Sequence, residues 1–452
     1  QIPGLAGGPV PLSERRAIVS QQENIMGTMP VDRLVLTMSW PIMLSMFLQA
    51  VYNLWDSICV ARVSDEAFLA LSLAYPIQIL MIAVCVGTGV GLNATLSRSL
   101  GAGDPKHAVS VACHGYFLYV CSWAVFLLFG LFGTQAFFQA SIDDPLVQAD
   151  GVRYLSICCC ASIGMCMQFV SERVLQCNGK PMGHMIVQGS GALINMVLDP
   201  ILIFGFDMGV VGAAVATVIG QWAGALIGFY LVWRLRDRFP LRLRGFRPDL
   251  SVIKTIYRIG APAIVMQSVG SLMSLGMNQL LVRCWTDTAV WVIGVYFKVQ
   301  SFVFMPVFGL NNGLVPVISF NYGARRRDRI TQSVRFGLTL GLVIMAVGTV
   351  LLWIFPGALL KYCFAASPEA LEMGKFALRV IACSFLFAGI SILSSSVFQS
   401  LGFSRYSLWI SLLRQVVLLL PLSVLILLIR PELVWWAFPI TEIVSTAVTI
   451  LL

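Results

Sequence analysis

LVLTMSWPIMLSMFLQAVYNLWDSICV, residues 34–60, is an almost unbroken run of apolar side chains with one aspartate near its end. At about 1.5 Å of rise per residue, a helix of this length crosses a hydrocarbon layer roughly 30 Å thick. The stretch therefore reads as a membrane-spanning helix, and Asp56 as a carboxylate placed where charge is expensive. A second one follows the same rule. Asp199 interrupts the apolar residues 185–206, with Asn195 one helical turn before it. Intramembrane carboxylates mark ion or proton paths by default, and two of them on different helices point to ion-coupled transport.

The rest of the chain agrees with a lipid environment. Of its 452 residues 58% are hydrophobic and only 11% charged, with a mean hydropathy of +0.85. A soluble protein carries about a quarter charged residues, so the class is an all-α integral membrane protein. The net charge of +9 does not imply nucleic acid, because the basic residues gather in short loops between apolar runs, where topology explains them. Cys158, Cys159 and Cys160 are consecutive, most other cysteines lie inside apolar segments, and there is no paired C-x-x-C spacing. These thiols read as small packing groups rather than disulfides or metal ligands, and no cofactor is expected.

Twelve apolar segments have spanning length: 34–61, 69–97, 107–133, 150–175, 183–206, 209–233, 255–282, 289–318, 331–355, 372–399, 404–429 and 433–452. The loops after the even-numbered segments hold fifteen Lys and Arg, the opposite loops six. The positive-inside rule then puts both termini in the cytoplasm of a multi-pass cell-membrane protein. The expected division is a cytoplasmic segment 1–30, an N-lobe 31–236, a basic linker 237–254 and a C-lobe 255–452. In this orientation Asp56 and Asp199 both lie roughly 8–10 Å below the outer boundary.

The two lobes repeat one another. Pro41 is echoed by Pro262; Ser97, Gly101 and Ala102 by Ser319, Gly323 and Ala324; Val174, Gln176 and Gly179 by Val397, Gln399 and Gly402. The spacing is 221 to 223 residues throughout. Two six-helix bundles related by a pseudo-twofold axis along the membrane normal follow, with the substrate path between them. At the same spacing Asp56 falls on Met277 and Asp199 on Leu422, so the carboxylates are private to the N-lobe.

Polar residues line up with the aspartates. Gln49, Tyr52, Asn53 and Asp56 share one face of helix 1; Gln188, Asn195 and Asp199 share one face of helix 5; Thr217 and Gln221 are one turn apart on helix 6. Oxygen ligands of this kind suit a proton or a hard monovalent cation such as Na+, with Asp56, Asn195, Asp199 and Thr217 as the set. The bland alternative, hydrogen bonds that hold the bundle together, is weakest for the two acids. Carboxylates that approach each other in such a place titrate as one coupled unit. In the C-lobe, Gln267, Ser271, Ser274 and Asn278 form a stripe without an acid. Lys298, Arg414 and Glu442 read as buried, either paired or lining the path, with snorkelling of Lys298 and Arg414 as an alternative to pairing, while Glu172 and Arg173 read as an interfacial structural pair.

Several of these stretches resemble one family. Leu48 to Asp56 (LQAVYNLWD), Ser97 to Pro105 (SRSLGAGDP), Asn195 to Pro200 (NMVLDP), Lys298 to Pro306 (KVQSFVFMP) and Asn321 to Ala324 (NYGA) are similar to the multidrug and toxic compound extrusion (MATE) family. The likeness runs in order over residues 25–452 and is nearest the DinF/MepA-like branch. It implies a V-shaped pair of bundles exporting amphipathic, cationic small molecules against H+ or Na+. It also implies that Asp56, Asn195, Asp199 and Thr217 form the N-lobe cation or proton site, lined by Gln49 and Tyr52. The NorM-like branch has a glutamate where this chain carries Gln267, so coupling is expected from the N-lobe alone. Asn53, Gln188, Gln267, Asn278, Lys298 and Arg414 complete the candidate pocket of a protein expected to work as a monomer among lipids.

Two other readings compete. A flippase for lipid-linked sugars would share the repeat plan but needs a strongly cationic cavity, and only Lys298 and Arg414 are offered. An intramembrane aspartyl protease would need a Gly-x-Gly-Asp context that neither aspartate has. The chain is therefore read as a transporter and not an enzyme.

Overall fold

Helices begin where the chain supplies an acceptor for their first unpaired N–H groups. Ser64, Asp104, Asp144, Asp249, Thr286 and Ser367 each turn a side-chain oxygen onto a backbone N–H two or three residues on. Asp104, Asp144 and Ser367 are followed by proline, whose missing N–H costs nothing at the first helical position. At Asp249 the Ser251 N–H, 2.8 Å away, holds the carboxyl below the ordinary carboxylate range.

The computed structural model describes residues 25–61, 63–241, 246–364 and 367–452; the side chains of residues 53, 54, 57, 58, 60, 61, 65, 66, 68 and 287 lie outside the description. Among the described residues, ten helices are long and apolar enough to cross a membrane, and two bent pairs bring the spans to twelve. In chain order they are α1 (Val31–Ala61), α2 (Asp65–Gly101), α3 (Pro105–Phe132) and α4 (Pro145–Cys160 with Ile163–Cys177). Then come α5 (Pro181–Pro200, continued by a π-helical turn Ile201–Gly205), α6 (Gly209–Trp233), α7 (Leu250–Cys284) and α8 (Asp287–Gly323). The last four are α9 (Arg327–Ile354), α10 (Pro368–Ala382 with Phe385–Leu401), α11 (Ser404–Ile429) and α12 (Pro431–Leu451). The protein is an all-α membrane protein of two six-helix bundles. Because Asp249 caps α7, the last residues of the expected linker 237–254 belong to that helix.

The repeat is visible in the packing. α4 bends by 42° and α10 by 46° at equivalent places, and at each bend a serine hydroxyl, Ser162 or Ser384, donates to the carbonyl three residues back. Such back-bonding gives the chain an alternative to the helix ladder and fixes the bend. The bundles also exchange their first turns. Val31 and Val35 of α1 sit in the C-terminal core, while Val252 and Ile256 of α7, their repeat partners, sit in the N-terminal core.

The two bundles meet where these first turns cross, on the side of the basic loops. A Cβ on Gly101 would run into the Phe320 carbonyl, and one on its repeat partner Gly323 into the Arg98 carbonyl. Only glycine lets the backbones come this close. The seam is also bonded: Gln176 Nε2 donates to the Asn312 carbonyl at 2.6 Å, and Arg98 donates to the Ser400 carbonyl at 3.1 Å while covering the Tyr322 ring. Asn312 lies four residues before Pro316, so its carbonyl has lost its own helical donor. Gln176 replaces that donor across the seam. Further from the basic loops, Phe47 of α1 and Phe302 of α8 touch edge to face at 6.2 Å, both about 40% exposed.

Candidate functional site

Helices α1, α5 and α6 bring together the four residues singled out for ion binding. Asp199 is fully buried, and neither carboxylate oxygen has a hydrogen-bond partner among the described residues. Asp56 is half-buried, with Oδ1 likewise unpartnered, and stands within electrostatic reach of Asp199. Asn195 Nδ2 donates to Thr217 Oγ1 at 3.2 Å, leaving Asn195 Oδ1 without a partner. The Tyr52 hydroxyl hydrogen-bonds Thr217 and lies in the field of both carboxylates. The result is a cluster of oxygen acceptors short of donors. Buried polar groups are nearly always paired, so a cluster short of donors fits a proton or a hard cation.

Proline explains how α1 and α5 are joined beside it. Pro200 cannot donate to the Met196 carbonyl four residues back. The Trp55 indole N–H donates to that carbonyl instead, at 3.1 Å. Trp55 precedes Asp56 and Pro200 follows Asp199, so one hydrogen bond sets the spacing of the two carboxylates. Beyond Pro200 the chain takes its π-helical turn, a wider coil that often appears at functional positions. One turn before Asn195 on α5, the backbones of Gly191 and Gly220 approach so closely that a Cβ on either would stand under 3 Å from the other's carbonyl oxygen. That contact presses α6, and with it Thr217, onto Asn195.

The other candidates are spread more widely. Gln188 Nε2 faces Gln49 Oε1 at 3.5 Å, two turns from the aspartates toward the basic loops. Asn53 lies outside the described side chains. Gln267 is exposed on α7 one turn beyond the seam, and Asn278 is half-buried with an unpartnered Oδ1. Two expectations change. Lys298, read as buried, is exposed, one turn before the likewise exposed Phe302 on α8. Glu172 and Arg173, read as interfacial, are 1% and 3% exposed, since α2, α3, α5 and α6 all pack around the second half of α4. The C-lobe ions resolve in favour of pairing: Arg414 Nη1 stands 3.5 Å from Glu442 Oε1. Sequence reasoning missed Trp55, although Pro200 was the signal that a carbonyl needed a donor. It also stopped the α5 stripe one turn short of His184.

Comparison with known proteins gives the same architecture. The sequence profile of the MatE family matches residues 41–201 and 262–425, two stretches that begin at the repeat partners Pro41 and Pro262. The multidrug export protein MepA of Staphylococcus aureus (strain MSSA476) is 26% identical over 422 residues, 91% of each chain. MepA of Staphylococcus saprophyticus is 26% identical over 419 residues, covering 92% of this chain and 91% of that one. A solved MATE-family transporter of the MOP superfamily, described as outward-facing, superposes with a TM-score of 0.89 at 23% identity, over 93% of this chain and 94% of that one. A MOP-superfamily transporter from Pyrococcus furiosus, described as having a binding pocket of reversed polarity, gives 0.89 at 23% identity, over 94% and 96%. With well over half of its residues matched by the family profile, the chain belongs to the MatE family and is a membrane transporter, not an enzyme.

Proposed function

We propose that the protein is a secondary active exporter of amphipathic, cationic small molecules, driven by the entry of H+ or Na+ at Asp56 and Asp199. The observation that carries this reading is the wholly buried Asp199, with two oxygens unpartnered among the described residues, facing Asp56 across a bond made by Trp55. An ion arriving there removes repulsion between the carboxylates, with Asn195 and Thr217 as further oxygen ligands. The helices can then repack, and Pro41 and Pro200 supply places to bend. Closure on the basic-loop side, with both termini cytoplasmic in the cell membrane, makes the present arrangement outward-facing. Export then alternates by parting the glycine seam and closing the outer cleft, within a single chain acting as a monomer. The MepA relatives, named as multidrug export proteins, support a broad substrate range.

The pairing of Arg414 with Glu442 weighs against the lipid-linked sugar flippase. Among the described residues it leaves Lys298 as the central cation without an acidic partner, where that reading needs a strongly cationic cavity. The test is drug efflux from cells that express Asp56→Asn or Asp199→Asn at wild-type levels. Loss of efflux in both variants is expected; wild-type efflux in both removes the proposal.

A further inference from the structure

The polar face of α5 does not stop at Gln188. His184, Gln188, Asn195 and Asp199 fall on one side of the helix, spanning about 22 Å from the aspartates toward the basic loops. His184 is 3% exposed, and neither ring nitrogen has a hydrogen-bond partner among the described residues. The Glu172 carboxylate lies 3.7 Å from His184 Nδ1 and accepts from Gln168 Nε2 at 3.0 Å. Gln168 in turn lies 3.8 Å from where a Cβ on Gly191 would stand, one turn below Asn195. The aspartate site and the Glu172–His184 pair are thus the two ends of one buried polar strip.

We propose that Glu172 and His184 form a second proton-holding site, the inner station of the coupling path whose outer station is the Asp56–Asp199 pair. The inference rests on the aspartate reading and adds the identity of the ion. An imidazole nitrogen beside a carboxyl group can share its proton and is a poor ligand for Na+, whose preferred partners are oxygens. The proton is held between the Glu172 carboxylate and His184 Nδ1, 3.7 Å apart, so that neither group carries its charge alone. Release toward the basic-loop side leaves the Glu172 carboxylate in the field of the Arg173 guanidinium, so one proton enters and one leaves.

The Arg173 guanidinium lies within electrostatic reach of both groups. Arg173 on α4 bonds Gln176 at 3.2 Å and keeps Nε unpartnered. The ionisable neighbours on the other packed helices are Tyr116 and Tyr119 from α3 and Cys85 from α2, while α6 presents Gly224 and Gly228. Tyr119 donates to the Cys85 carbonyl and Tyr116 pairs with Ser171, which leaves Glu172 as the anion nearest the ring. The repeat adds an independent argument. At its spacing of 223 residues Glu172 and His184 fall on Ser395 and Ser407, so this pair, like the two aspartates, is private to the N-lobe. A residue kept only for packing has no reason to be ionisable in one copy alone.

The test uses purified full-length protein in liposomes, with a fluorescent organic cation as substrate and two readouts. One is uphill transport driven by a pH gradient; the other is exchange of substrate for substrate at equal pH, which needs no net proton movement. Glu172→Gln and His184→Gln should each lower uphill transport about tenfold or more. Exchange should stay within about twofold of wild type. Uphill transport at the wild-type rate in both variants overturns the proposal. A parallel fall in exchange also overturns it, by assigning the pair a structural role. Should E172Q fail to fold, H184Q decides alone, because among the described residues its ring makes no hydrogen bond whose loss would unfold the bundle. Asp199→Asn, measured alongside, tests the aspartate reading separately. A wild-type protein driven by a sodium gradient and indifferent to a pH gradient sinks the His184 proposal and leaves the aspartates standing.

Discussion

Asp199 carries a carboxylate with no donor among the described residues, a state that costs stability unless an ion supplies the missing charge. Its neutral isostere should therefore fold as well as the native residue. Purified Asp199→Asn is expected to melt no lower than wild type while gradient-driven transport falls to background; a large drop in melting temperature would make the aspartate structural. Trp55 makes a milder case. Trp55→Phe keeps the ring and removes the N–H, so the Met196 carbonyl freed by Pro200 is left unpaired at a cost of about 1 kcal/mol. We expect a small fall in thermal stability and a partial loss of transport, because the carboxylate spacing loses its tie. The two acids were legible in the sequence because charge in an apolar run stands out. Trp55 was not, because an indole in a membrane helix usually packs or sits at an interface, and its partner is a backbone group 141 residues away.

The helices themselves follow from apolar length and from caps, and those signals are local. Their bends are not. Nothing in the apolar pattern of 150–175 distinguishes a straight span from one broken by 42°; the break comes from Ser162 donating to the Cys159 carbonyl. The same limit hid Glu172 and Arg173. A charged pair near the end of an apolar run looks interfacial until the flanking helices are seen to cover it. The start of α7 shows another contact of this kind. His114 of α3 accepts the Asp249 N–H on Nε2 at 2.8 Å and faces the Ser110 carbonyl with Nδ1 at 2.8 Å, which fixes the neutral tautomer. His114→Ala should loosen the attachment of α7, read as faster amide exchange over its first turns; unchanged exchange there would count against the contact.

At the scale of the molecule, the repeat tells why glycines recur at 101 and 323: each backbone occupies the space a side chain on the other would need. Gly101→Ala should cost about 1–3 kcal/mol of seam packing and part the bundles on the basic-loop side. Spin labels at the basic-loop ends of α2 and α8 would report longer distances; distances equal to wild type would show that the seam does not hold this state. Gln176→Leu, which deprives the Asn312 carbonyl of its replacement donor, should shift the same distances in the same direction. The two-bundle plan was legible from the repeat. Which side of it is closed depends on how glycine backbones meet across the seam, and the apolar pattern carries no record of that.

The most direct measurement of the central claim, that Asp56 and Asp199 couple ion entry to export, is substrate flux in proteoliposomes with pH and sodium gradients imposed one at a time. Wild-type protein should move substrate uphill under the pH gradient, and Asp199→Asn and Asp56→Asn should not. Uphill flux of native size in either aspartate variant would contradict the account.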